Sequence, residues 1–99
     1  MATFLQPLTP ESVTVSNTAI GITARPGGSG LLAQAAVIVV ESNPIRYWET
    51  SNPTASVGIT VQPGGVIELV GRTSINQFRA IRTGSDATLR VQPYAEYRL

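Results

Sequence analysis

One short phrase is written twice in this chain. Ser16-Asn17-Thr18-Ala19-Ile20-Gly21-Ile22-Thr23 reappears as Ser51-Asn52-Pro53-Thr54-Ala55-Ser56-Val57-Gly58-Ile59-Thr60. Each copy runs into a Pro-Gly-Gly triplet, Pro26-Gly27-Gly28 and Pro63-Gly64-Gly65, and a leucine follows each, Leu32 and Leu69. The proline presets φ at the second turn position, and the next glycine takes the positive φ of a type II turn. The phrase therefore spells a polar turn, a short apolar strand, a tight turn and the next strand. A chain assembled from that unit is a β-sheet protein. Two copies are too few for a solenoid. Duplication of a half-sandwich and convergence of two hairpins on one turn chemistry both account for the repeat.

Apolar alternation extends the pattern along the chain. Val13 and Val15, then Ile20, Ile22 and Ala24, mark two half-buried strands. Ala35 to Glu41 is Val- and Ile-rich on both faces, which requires a place inside a sheet; exposed, Val37-Ile38-Val39-Val40 is an aggregation template. Ile45 and Tyr47 share one face and Arg46 and Trp48 the other. Val57, Ile59 and Val61 lead through a hairpin turn at Pro63-Gly64 into Val66–Val70, where Ile67 and Leu69 oppose Glu68. Gly71-Arg72-Thr73-Ser74 reads as a loop. Phe78–Arg82 and Ala87–Val91 are the last strands, with Pro93 as the stop. No segment carries helical spacing with caps over three turns.

Turn signals every 8–12 residues between about eight short strands predict an all-β fold, an antiparallel β-sandwich with jelly-roll character. Its 99 residues make one domain. The expected organisation is an extended N-terminal arm over 1–10, the sandwich over 11–93 and a C-terminal tail over 94–99. The most apolar run, Leu31 to Val40, is half the length of a membrane helix. The N-terminus lacks the basic and apolar regions of a secretion signal.

The residue types present narrow the chemistry. There is no histidine, cysteine or lysine; all seven basic residues are arginine. Zinc, iron–sulfur and haem sites of the usual kind lose their ligands, and Ser–His, Cys–His and Schiff-base catalysis lose their groups. No cofactor is expected. A net charge of +1 makes no basic patch for nucleic acid. Pro26-Gly27-Gly28-Ser29-Gly30 has the glycines of a phosphate loop but neither the Gly-Lys-Ser/Thr nor the following helix, so it is a turn. Glu41, Glu49, Glu68 and Asp86 are the acids of the central chain. A glycosidase needs two facing carboxylates about 5–9.5 Å apart, and nothing in the spacing brings two together. The chain is read as a non-enzyme.

What remains is surface. Charged residues make up 13% of the chain, about half the usual share, so little repulsion opposes association. The arm carries Phe4, Leu5 and Leu8, which lie against their own domain or against a neighbouring subunit. Arg46 and Trp48 point outward if Tyr47 is core; Trp, Tyr and Arg are enriched at protein contacts, and an outward Trp also stacks on a sugar ring. The bland alternative packs Trp48 beneath the Thr50–Ala55 loop. Tyr94 and Tyr97 of the tail are the remaining contact candidates, against the alternative of a frayed terminus.

From Ala36 to Val91 the chain resembles small β-sandwich accessory proteins of tailed bacteriophage virions. The similarity runs through Val37-Ile38-Val39-Val40, Pro44-Ile45-Arg46-Tyr47, Pro53-Thr54-Ala55-Ser56-Val57-Gly58, Pro63-Gly64 and Ile67-Glu68-Leu69. It continues through Phe78-Arg79-Ala80-Ile81-Arg82-Thr83-Gly84 and Ala87-Thr88-Leu89-Arg90-Val91. Trp48-Glu49-Thr50-Ser51-Asn52 replaces the tight turn expected after Tyr47, and the Tyr-rich tail is an addition. The resemblance implies a capsid decoration (cement) protein on the virion surface, whose partner is the major capsid protein. It also implies a symmetric homo-oligomer, with a trimer favoured, and no nucleic-acid or membrane partner. The alternative is a carbohydrate- or receptor-binding module of a phage fibre or of a neck or tail attachment. An enzyme built on Glu41 and Glu68 is the most distant reading.

Overall fold

The computed structural model describes residues 3–23 and 32–98. Its elements are β1 (Thr3–Pro7), β2 (Glu11–Val15), β3 (Ala35–Glu41), β4 (Ile45–Trp48), β5 (Ile59–Val61), β6 (Val66–Val70), α1 (Arg72–Gln77), β7 (Arg79–Arg82) and β8 (Ala87–Arg98). The large sheet runs β1/β2–β8–β3–β6, and the small sheet runs β5–β4–β7; every pairing is antiparallel. Ile20 adds one bridge on the free side of β7, opposite Ala80. The order in one sheet is therefore β2–β8–β3–β6 and in the other Ile20–β7–β4–β5. These are the interleaved Greek keys of a jelly roll, as the alternation and turn spacing predict.

Alternation fixes which face of each strand is buried. On β3 the side chains of Ala36, Ile38 and Val40 are buried and those of Ala35, Val37, Val39 and Glu41 half-buried. β6 buries Ile67 and Leu69 and exposes Val66, Glu68 and Val70. Val15, Ile38, Val40, Ile45, Leu69, Ile75, Phe78 and Leu89 fill the space between the sheets. Each is worth about 1.5–3 kcal/mol when taken from water. The ring of Tyr47 packs on Phe78 with centroids 5.6 Å apart.

The two copies of the repeated phrase occupy the two outer positions of the small sheet. The first supplies Ile20 beside β7, and the second supplies β5 beside β4. Both then cross to the large sheet, where β3 and β6 pair with each other. The first Pro-Gly-Gly triplet and Ala24 lie outside the described residues. At the second, Gly65 N–H donates to Gln62 O at 2.9 Å, and Gly64 has φ 89°, as a type II turn requires.

Four expectations need correction. The Pro63-Gly64 turn is not a hairpin, because β5 and β6 belong to different sheets; it is a corner between them. The strand expected around Ile20 and Ile22 shrinks to the single Ile20–Ala80 bridge. The loop expected after Gly71 is the start of α1, whose only buried side chain is Ile75. One apolar residue in six leaves no periodicity to read. Finally, Pro93 does not stop the last strand: β8 runs unbroken to Arg98, so the tail is strand.

Proline is tolerated within β8 for a local reason. Leu8 N–H donates to Pro93 O at 2.9 Å, but Pro93 has no N–H to return to Leu8 O. The Gln92 side-chain amide supplies that bond, Nε2 to Leu8 O at 2.9 Å. The N-terminal arm lies along its own domain. β1 pairs with the end of β8 from Thr3↔Arg98 to Pro7↔Tyr94, in line with β2. The register slips by one residue between Pro7↔Tyr94 and Glu11↔Val91, which marks a bulge at Leu8–Pro10.

Candidate functional site

The charged side chains are mostly occupied by one another or by backbone. Arg90 Nε donates to Glu41 Oε1 at 2.9 Å and its Nη1 to Ser12 Oγ at 2.7 Å. Arg82 pairs with Asp86 at 2.5 Å, within its own turn rather than across strands. Arg79 Nη1 donates to the carbonyls of Asn76 and Phe78. Glu49 accepts from Ser74 Oγ at 2.8 Å, and Glu11 holds Thr23 through its N–H and Oγ1, both at 2.7 Å. Glu68 and Arg72 have no such partner among the described residues. Glu41 and Glu68 do not face each other. Val37 is the residue opposite Glu68, and Glu41 lies four residues further along β3, about 13 Å away.

Among the described residues no three His, Cys, Asp or Glu side chains cluster as metal ligands. The surroundings of Tyr47 perturb its titration. Burial among apolar side chains raises its phenol above the ordinary value, and the nearby Glu49 carboxylate adds to the rise. Such a phenol stays neutral and supplies packing.

Two surface regions stand out. The first is the outer face of the large sheet. Val37 and Val39 form the floor of a groove of 380 Å³ walled by Pro10, Ser12, Arg90 and Gln92. A second hollow of 210 Å³ shares Val37 and is lined by Ala35, Glu68, Val70 and Tyr94. This face continues to β6, where Val66 is 57% and Val70 78% exposed. The second region lies at the end of the small sheet. Thr50, Ser51, Asn52, Gln77 and Arg79 surround a polar hollow of 250 Å³, and Arg79 is the cross-strand partner of Trp48.

The residues singled out from the sequence divide among different surroundings. Leu8 is buried in its own domain. Phe4 and Leu5 lie on β1 and Tyr97 on β8, where Phe4 is opposite Tyr97; their side chains fall outside the described part. Tyr94 is half-buried on the outer face of the large sheet. Trp48 is half-buried and opposite Arg79, which lines the polar hollow, but Trp48 is not itself part of that lining. Arg46 turns back on its own loop: Nε donates to Ala55 O at 2.9 Å, and Nη1 reaches Thr60 Oγ1 and Gly58 O. That guanidinium fastens the 53–58 loop, with Pro53 buried beneath it. Gly58, with φ 140°, is tied to the same contact, since a Cβ there would stand 3.2 Å from the Cβ atoms of Arg46 and Pro53.

Sequence reasoning passed over Val37, Val39, Val66, Val70 and Arg90. The available signal was the alternation itself. A Val-rich central strand beside a Val-x-Glu-x-Val edge strand leaves aliphatic side chains outside whichever face is buried. Comparison with protein-family models, curated proteins and solved structures finds no match to this chain.

Proposed function

We propose that this protein is a structural adhesive of a virion, a capsid decoration (cement) protein that joins neighbouring major capsid subunits. The observation that carries the reading is the flank formed by β5 and β6. Ile59, Val66 and Val70, three of the five exposed large aliphatic residues among the described ones, lie on these two strands. Exposed apolar groups concentrated on one side mark a contact surface. Most of the described charged groups elsewhere are engaged with one another or with backbone, which suits a passive binding module. By fold-level analogy, jelly rolls serve both as viral capsid domains and as lectins. A symmetric oligomer, with three copies favoured, is the assembly that matches such a module to a lattice. Its contacts draw on the ribbon of β1 and β8 that bears Phe4, Leu5 and Tyr97. The test is mass spectrometry of purified particles together with their thermal stability. The protein is expected in stoichiometric amounts, and particles lacking it are expected to disrupt at lower temperature. Its absence from purified particles would defeat the reading.

The polar hollow lined by Arg79, the cross-strand partner of Trp48, favours a second reading, a carbohydrate-binding module. Hydroxyl, amide and guanidinium groups next to an indole are the groups that hold a sugar. Tyr47 does not share that platform, since its ring is packed on Phe78. Glycan binding that is lost on Trp48→Ala would select this reading. Particle destabilisation by the same substitution, with no effect of sugars, would select the first.

A further inference from the structure

The strand β6 is a sheet edge, and its backbone polarity can be assigned. Among the described residues it pairs only with β3. At the two ends of that ladder Gly71 N–H donates to Gln34 O and Val40 N–H donates to Gly65 O, at 2.6 and 3.0 Å. In an antiparallel ladder mutually bonded pairs alternate with unbonded ones. The bonded pairs within β6 are thus Ala36↔Leu69 and Ile38↔Ile67. The N–H and C=O groups of Val66, Glu68 and Val70 point away from the sheet. These are also the residues whose side chains are exposed. One edge therefore presents three backbone donor–acceptor sets with no partner among the described residues, two aliphatic side chains and, between them, one carboxylate.

Self-pairing of this edge is opposed by its own charge. About a two-fold axis, the antiparallel register that uses all three backbone sets places Val66 opposite Val70 and Glu68 opposite Glu68 of the second copy. Like charges directly opposite each other destabilise a strand pair. Shifting by two residues separates the carboxylates but gives up one backbone set.

We infer that the β6 edge accepts an extended segment of another protein in antiparallel β-addition, and that this segment carries an arginine or lysine opposite Glu68, flanked two residues away on each side by aliphatic residues. The main-chain bonds supply affinity and the alternate side chains supply selectivity. The central cation meets the one carboxylate on the edge, and the flanking aliphatic groups cover Val66 and Val70. The inference does not depend on where the protein works.

The test uses the full chain and capped nonapeptides, read by fluorescence anisotropy at low and moderate salt. One peptide has arginine at its centre, valine two residues away on each side and threonine elsewhere; a second has glutamate at the centre. The arginine peptide is expected to bind at least tenfold tighter than the glutamate peptide. Glu68→Arg should reverse that order, and N-methylation of the backbone amides that face β6 should abolish binding. Glu68→Gln should weaken the discrimination and increase self-association in sedimentation analysis. Equal binding of the two peptides, no binding of either, or a wild-type dimer paired through β6 would overturn the inference.

Discussion

The two flanks of the sandwich are finished differently. On one, β2 covers the edge of β8, and the chain from Ser16 to Ile20 covers the edge of β7. Ile20 and Ala80 exchange two backbone bonds of 2.9 Å, and Arg82 N–H donates to Ser16 O. Glu11 then clasps Thr23 across the same side. On the other flank β5 and β6 are both terminal strands, with no third element paired to either among the described residues. An uncovered sheet edge is a hazard that proteins blunt with charge. Here Glu68 is the single charge on β6, set between two exposed valines. One flank is closed for stability, and the other is kept open and discouraged from pairing with itself.

Substitutions separate the two. Leu89, fully buried on β8 and paired with Val13, lies within the closed side. Leu89→Ala is expected to cost about 2–5 kcal/mol in urea denaturation, through lost burial and the cavity left behind. At the corner leading into the open flank, Gly64→Ala is expected to cost about 1–2 kcal/mol. A Cβ there meets nothing within 4 Å, so the loss is purely that of the positive φ. Glu11→Ala removes the clasp on Thr23 and should cost about 1 kcal/mol. A loss as large as that of Leu89→Ala would mean that the clasp, not the core, holds the closed flank.

Alkaline titration gives a smaller effect with a defined sign. The Tyr47 phenol has a higher pKa folded than unfolded. Its contribution is therefore fully present below the unfolded value of about 10 and is lost as pH rises above it. Tyr47→Phe should flatten that part of the stability profile. An unchanged profile would assign the alkaline loss to other groups. Val70→Thr on the open flank should change stability by less than about 0.5 kcal/mol. A larger loss would mean that this edge carries structural weight after all.

Much of this architecture was legible in the chain. The alternation in Glu11–Val15, Val66–Val70 and Ala87–Val91 assigns inward and outward faces correctly, because a sheet buried on one side enforces a two-residue period. The turn chemistry of Pro63-Gly64 was also readable. Sheet membership was not, since a type II turn serves a corner as readily as a hairpin. Pro93 misled because its missing donor is replaced by the Gln92 side chain, which belongs to tertiary geometry. The surroundings of Arg46 were not legible for a related reason. An outward arginine on a strand is free for a partner only if no nearby loop bends its carbonyls over it, as 55–58 do here. The open flank itself was half legible: the exposed face of β6 follows from its alternation, whereas its position at a sheet edge follows only from the topology.

Amide hydrogen exchange resolved by residue tests the contrast between the flanks most directly. In the isolated protein the N–H groups of Val66, Glu68 and Val70 are expected to exchange rapidly, while those of Ile67, Leu69 and Ala80 remain protected. Protection at Val66, Glu68 and Val70 matching that of Ile67 and Leu69 would contradict an open β6 edge and the account built on it.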